Sequence, residues 1–311
     1  ATQEGRRLIT TSVLSGVAQA YFELLELDEQ LLIARRTTES YARTFKLFDD
    51  QHANGLTSKL ELSRAKAALH SVSASIPELE RQIAIKENEI NTLLGRNPGP
   101  VARHLTLLAQ EMPVEIPPGL PSTLLERRPD IRMAEQRVRM ANAEIGVALG
   151  NFFPRIGLTA FYGGTSTDLN DLLSSSANTW SLAAGAAGPL FSGGRLTGRY
   201  RQAKAACEEA KLHYQETALN AFREVSNALV SHRKLEEERA EQAEAVEACR
   251  EAVAVATERY KEGKASYYEV LEAQQQLFPA ENALSQVEGG RRLAVVQRYR
   301  ALGGGWSQPG K

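Results

Sequence analysis

"FFPRIGLTAFYGG" spans residues 152–164, and its side chains alternate. Ile156, Leu158, Ala160 and Tyr162 are interleaved with Gly157, Thr159 and Phe161, and Arg155 is the only charge. A period of two belongs to a strand, because successive side chains leave a pleated backbone on opposite faces. From Ile145 to Gly194 only Arg155, Asp168 and Asp171 are charged, 3 of 50 positions against 24% for the whole chain. That segment must meet a different environment from the rest. After the polar, turn-rich "GGTSTDLNDLLSSSANT" (163–179), the run "WSLAAGAAGPLF" (180–191) places Trp180, Leu182, Ala184 and Ala186 on one face. Two runs of about ten residues with aromatics near their ends fit strands of a transmembrane β-barrel. Ile156, Leu158, Ala160, Tyr162, Trp180, Leu182 and Ala184 would then face lipid. A soluble hairpin packed on helices fits these residues equally well. In lipid, two strands could not stand alone, since an open edge leaves backbone groups unbonded. They would have to combine with strands from other chains or from elsewhere in the protein.

On either side of this insert the sequence reads as helix. From Arg199 to Glu262 there is neither Gly nor Pro. Those residues would form a rod of about 96 Å at the usual rise. A seam runs along it at alternating spacings of three and four: Tyr200, Ala203, Cys207, Ala210, Tyr214, Thr217, Ala221, Val225, Ala228, His232, Leu235, Arg239, Gln242, Val246, Cys249, Val253, Ala256, Tyr260. This is a coiled-coil heptad with polar interruptions at His232, Arg239 and Gln242. Its many alanines allow close helix approach. Val17 to Asn54 is a second stretch free of Gly and Pro. The fold expected is mainly α with a small β part: long antiparallel coiled-coil hairpins plus two strands.

The chain also repeats itself. Shifted by 208 residues, 16–95 aligns without a gap on 224–303, with 13 of 80 positions identical. Gly55 meets Gly263, Ser58 meets Ser266, Glu61 meets Glu269, Ala65 meets Ala273 and Leu69 meets Leu277. Each copy reads as a long helix, a glycine turn and one returning helix, with Ser58 and Ser266 placed to cap the returns. The organisation expected is a first hairpin over 1–95, a Pro/Gly-rich linker over 96–120 and a short helix within 121–150. The strand pair follows over 151–192, then the second hairpin over 193–303 and a tail over 304–311. Pro129 should open the short helix as its first residue, with Asp130 in the first turn and Arg127 and Arg128 making local caps and salt bridges. The first copy's counterpart of residues 120–208 would lie ahead of residue 1. The sequence therefore reads as N-terminally truncated, with another strand pair in the missing part.

Composition removes several functions. A net charge of -1 on 311 residues gives no basic face for nucleic acid. Cys207 and Cys249 lie on the same rod, far beyond disulfide reach. His52, His70, His104, His213 and His232 are scattered without metal-ligand spacing. There is no nucleophile elbow, P-loop or paired-carboxylate cleft, so neither catalysis nor a cofactor is expected. "FSGGRL" (191–196) reads as a strand-to-helix turn rather than a phosphate cradle. No apolar run of membrane-spanning length is expected.

"LPSTLLERRPDIRMAEQRVRMANAEIGVA", "FFPRIGLTAFYG", "GPLFSGGRL" and the terminal "YRALGGGW", in that order, resemble the outer-membrane factor family. These are the TolC-like channel-tunnels, and the resemblance is to their NodT-type efflux lipoprotein branch, from near residue 10 to Trp306. It implies a homotrimer in the bacterial outer membrane, with a shared β-barrel and a helical tunnel across the periplasm. It implies partners too: outer-membrane lipid, a periplasmic adaptor and an inner-membrane pump of the RND type, in drug-type efflux. This sequence has neither the family's lipid-attachment cysteine nor its first strand pair.

The resemblance also assigns sites. The hairpin tips that meet the adaptor fall on Asn54, Gly55, Leu56, Thr57 and Ser58, and on Glu262, Gly263, Lys264, Ala265 and Ser266. The periplasmic gate falls on Tyr260, Glu269, Glu272 and Glu61. Glu269 and Glu272 are three apart and share a helix face, so a trimer would ring the axis with acid and favour cations. Ala265 stands where some relatives carry a linking Arg. The rival reading is a soluble periplasmic coiled-coil adaptor or scaffold. It explains the hairpins but not the charge-poor β segment.

Overall fold

The computed structural model describes residues 2–110, 125–175 and 178–304. Helices α1 (Thr2–Ala53), α2 (Lys59–Ser73), α3 (Ser75–Leu93) and α4 (Pro129–Gly150) come first. Strands β1 (Arg155–Gly164) and β2 (Asn178–Ala187) follow, with a short 3-10 turn at Leu169–Asp171 between them. Helices α5 (Arg195–Lys261) and α6 (Tyr267–Ala301) complete the chain. The chain divides into two compact units, Asp130–Leu219 and the combination of Thr2–Pro129 with Asn220 onward.

The first unit holds α4, the sheet and the start of α5. Pro129 is the first residue of α4 and Asp130 lies in its first turn, where the Asp130 carboxylate accepts from the Ile131 amide at 2.9 Å. The strands pair antiparallel from Arg155↔Ala187 to Gly164↔Asn178. Directly opposed residues share a face, so Ile156/Ala186, Leu158/Ala184, Ala160/Leu182 and Tyr162/Trp180 form one apolar surface. Gly157/Gly185, Thr159/Ala183 and Phe161/Ser181 form the other, which is mostly small. At the foot of the hairpin, a Cβ on Gly188 would sit 2.9 Å from the Pro154 backbone, so only glycine fits. Gly193 and Gly194, at φ 57 and 82, turn the chain from strand into α5.

In the second unit α1 packs against α2, α3 and α6. One core gathers Tyr41, Phe48, Ala65, Val72, Ala256, Tyr267 and Val270. Another gathers Ala20, Leu24 and Ile90. Every expected seam residue of α5 is buried or half-buried except Arg239. Two of the polar interruptions in the seam bond across to α6: Arg239 reaches Glu288 at 3.0 Å, and Gln242 donates to the Ala280 carbonyl at 3.3 Å.

Several expectations need correction. The first copy returns as two helices, not one, because Pro77 cannot donate to residue 73 and its ring crowds that carbonyl. The second copy carries Pro279 within a continuous α6. Helix α1 fills the start of the expected 1–95 hairpin from Thr2, running through Gly5 and Gly16, each a modest cost. It also contains an 18-residue stretch of mean hydropathy 1.3 with at most two charges, which length and composition alone would pass as a membrane span. Of that stretch 22% is buried, where Ala20 and Leu24 pack with Ile90, and Glu23 on the same helix pairs with Lys86 at 2.7 Å. Arg128 reaches beyond its local turn. It is buried, donates to the Ala301 carbonyl at 3.0 Å and pairs with Glu224 at 2.7 Å, closing the end of α6 from far along the chain. The linker is non-helical over 96–110, and Arg103 straps it down by bonding Asp28 on α1 and Glu87 on α3. Its remainder, 111–120, lies outside the described residues, as do 121–124 and 305–311.

Candidate functional site

The two glycine turns are superimposable in their bonding. Gly55 has φ 72 and Gly263 has φ 71. In the first, Gly55 N donates to His52 O at 3.0 Å and Leu56 N to Gln51 O at 2.9 Å. In the second, Gly263 N donates to Tyr260 O at 3.0 Å and Lys264 N to Arg259 O at 2.9 Å. Each pair satisfies the last carbonyls of a helix through a left-handed residue that a Cβ would strain. All four bonds map onto one another under the 208-residue shift.

Beyond the glycine the turns diverge. Ser58 has extended backbone and sits in a complete capping box: its hydroxyl accepts from Glu61 N at 3.3 Å, and the Glu61 carboxylate accepts from Ser58 N at 2.9 Å. Thr57 donates to the same carboxylate at 2.6 Å. These bonds, led by the Thr57 hydroxyl, hold Glu61 below the ordinary carboxylate pKa. Ser266 has the same backbone but makes no side-chain cap bond. Ala265 stands where Thr57 does and offers no hydroxyl, and Glu269 turns instead toward Arg259 at 3.8 Å. Of the two expected caps, one forms. The first tip exposes Leu56 at 77%, while the second carries a Lys264–Glu262 pair at 2.9 Å.

The three acids near the tips are therefore not equivalent. Glu61 is committed to its turn, Glu269 is loosely held, and Glu272 is exposed with no ion pair among the described residues. Tyr260 is half-buried. Its ring meets Tyr267 at 5.3 Å, and its hydroxyl accepts from Gln51 at 3.4 Å. Tyr267 in turn lies 4.4 Å from the Phe48 ring and donates to Thr44 at 2.9 Å. Burial pushes the Tyr267 phenol up, so it stays a neutral donor. Sequence reasoning missed Tyr267 and Arg259 as neighbours of the gate residues, because their pairing depends on α1 and the turn.

It also missed two buried carboxylates one heptad apart on α6. Glu281 accepts from Arg36 of α1 at 2.6 Å and Arg250 of α5 at 2.9 Å. Glu288 accepts from Arg239 at 3.0 Å, Arg291 at 2.9 Å and Arg292 at 2.7 Å. A cavity of about 320 Å³ opens beside Glu281, lined by Arg36, Tyr41, Arg250 and Phe278. Among the described residues no group of three or more His, Cys, Asp or Glu could hold a metal ion.

The sheet is the other site. All of the expected lipid-facing residues lie on its one apolar face. Ile156 is exposed at 79%, Tyr162 at 77% and Trp180 at 74%. The strands are exposed along both faces, save for half-buried Gly163. A soluble hairpin packed on helices would bury one face, and this one does not.

Residues 1–96 and 120–304 match the family model for the outer membrane efflux protein. The chain belongs to the outer membrane efflux protein family. Within that family it is similar to the solvent efflux pump outer membrane protein SrpC of Pseudomonas putida, 33% identical over 99% of this chain and 65% of that one. It is also similar to the cation efflux system protein CusC of Escherichia coli, at 31% identity over 99% and 67%. Among solved structures, the open state of the MtrE outer membrane channel of Neisseria gonorrhoeae superposes with a TM-score of 0.89, at 28% identity over 97% of this chain and 68% of that one. The chain thus spans about two thirds of the length of the relatives it matches. The MtrE channel shares the fold of its long helices and small antiparallel sheet. The relatives named are transport proteins rather than enzymes.

Proposed function

We propose that this chain is a subunit of a passive exit duct in the bacterial outer membrane, reaching into the periplasm and serving a tripartite efflux system. One observation carries the reading: a two-stranded sheet with an apolar face left entirely open to its surroundings. Ile156, Leu158, Tyr162, Trp180 and Leu182 would be stable there against lipid. The free edges require strands from sister subunits, or from elsewhere in the protein, in a homotrimer. The adaptor or scaffold alternative has no use for that face, and the family match does not favour it.

In this reading the tips at 54–58 and 262–266 meet the periplasmic adaptor. An inner-membrane pump of the RND type supplies the driving force. Glu269 and Glu272, with Tyr260 behind them, narrow the periplasmic entrance, and Glu61 adds charge while fixed by its capping box. Rings of carboxylate at a constriction attract cations and raise the barrier to anions. Opening would proceed by outward movement of the α5–α6 hairpin. No substrate follows from these residues, and selection would rest with the pump.

The full-length protein should require detergent for extraction and conduct ions in a planar bilayer. Replacing Glu269 and Glu272 together by Gln should lower the cation preference and raise single-channel conductance, severalfold if they form the narrowest ring. Unchanged selectivity and conductance would remove the gate from these positions. A protein that stays soluble without detergent would remove the duct itself.

A further inference from the structure

The sequence "EGGRR" (288–292) puts two glycines inside α6, where each is unfavourable relative to alanine. Neither has a positive φ, so neither serves a turn. The structure gives each a packing reason. A Cβ on Gly290 would touch Leu235 of α5 at 3.5 Å. A Cβ on Gly289 would lie 2.1 Å from the Glu26 carboxylate oxygen Oε2, so the carboxyl of α1 occupies the space a side chain would fill.

That carboxyl is unusual in its company. Among the described residues it accepts from the Gln30 amide at 3.0 Å and has no ion pair. Charges on its own and the neighbouring helices are paired with one another. Glu23, on its own helix, pairs with Lys86 of α3 at 2.7 Å and repels it. On α6, Glu288 takes Arg291 and Arg292, and on α5 Arg239 bonds Glu288 while Glu236 bonds Arg291. One turn before Gly289, the buried Ser285 hydroxyl has no partner. A carboxylate inserted here loses water without gaining a cation, whereas a carboxylic acid suits the notch.

We infer that Glu26 and the Gly289 notch form a proton-operated contact between α1 and α6, closed when the carboxyl is protonated and loosened when it ionises. Desolvation first, then Glu23, pushes the Glu26 pKa from 4.5 up to about 7. Below about pH 4.5 the group is protonated whether the chain is folded or not, and it carries no penalty. Between 4.5 and about 7 the unfolded chain gives up its proton first, so stability falls as pH rises, and above that range the loss is constant. The contact would therefore tighten in acid surroundings, joining the first repeat to the second midway along their helices.

The test compares Glu26→Gln, a fixed mimic of the protonated acid, with the unmodified full-length protein in detergent. The melting temperature of the variant minus that of the parent should be near zero at pH 4.5 and grow to several degrees, about 4 °C, by pH 8. Hydrogen-exchange protection of the 285–292 peptide, corrected for the intrinsic rate, should drop between pH 5.5 and 8 in the parent and stay level in Glu26→Gln. A difference independent of pH, or protection that falls equally in both, would overturn the proposal. Gly289→Ala should expel the carboxyl into water and flatten the parent's profile. If that variant fails to fold, the Glu26→Gln profile decides alone.

Discussion

Glu288→Ala is expected to cost about 3–5 kcal/mol of stability, among the largest effects of any single truncation in the helical unit. The reason is what it leaves behind. Arg292 is 4% exposed and, among the described residues, would keep only the Glu288 backbone carbonyl at 2.8 Å, while its Nε already lacks a partner there. Arg239 and Arg291 would each lose a charged bond as well, though Arg291 retains Glu236. A buried guanidinium without its carboxylate costs far more than the pair was worth. Thermal unfolding of the detergent-solubilised protein checks this. The double variant Glu288→Ala/Arg292→Leu should recover much of the loss, since the stranded charge goes too. If the double variant were no more stable than the single one, the damage would lie in packing and not in charge.

The same carboxylate predicts an acid limit. Although burial opposes ionisation, the guanidiniums around Glu288, Arg292 and Arg239 foremost, hold its pKa below the usual 4.5. A lowered carboxylate pKa contributes stability that is complete above the unfolded value and disappears as pH falls through the folded one. Glu288 and Glu26 therefore respond to acid in opposite senses, one weakening its cluster and the other closing its notch.

Leu158→Arg is the second large effect. Leu158 stands near the middle of β1, opposite Ala184, on the apolar face. A guanidinium at the midplane of the lipid face of a barrel costs about 2–4 kcal/mol. The amount of assembled protein in outer-membrane fractions should fall sharply. Thr159→Arg moves the same charge by one residue, onto the face that would line water, and should assemble at near the parent level. Equal loss from both, or from neither, would mean that the two faces do not meet different solvents.

Much of this was legible because it depends on local periods. The seam of α5 could be read from its spacing of three and four, and burial follows it from Tyr200 to Tyr260. The strand faces could be read from the alternation at 156–162, and the tips from Gly55 and Gly263 at equivalent positions of a repeat. What could not be read depends on approach between distant segments. Arg128 capping the end of α6, Arg36 and Arg250 meeting at Glu281, and Glu26 filling the Gly289 notch all involve residues far apart in sequence, and no local pattern marks them. Two lapses were avoidable. Pro77 announces the break between α2 and α3, and Ala265 in place of Thr57 announces that Glu269 lacks a hydroxyl donor that Glu61 has.

The central claim is that one face of the β1–β2 pair meets lipid while the other meets water. A cysteine scan along 155–164 and 178–187, with Cys207 and Cys249 replaced, tests it most directly. Each variant of the full-length protein, in native outer membranes, would be reacted with a charged, membrane-impermeant thiol reagent. The account predicts labelling with a period of two: protection at 156, 158, 160, 180, 182 and 184, and reaction at 157, 159, 183 and 185. Uniform reaction at both sets of positions would show a hairpin surrounded by water and would contradict it.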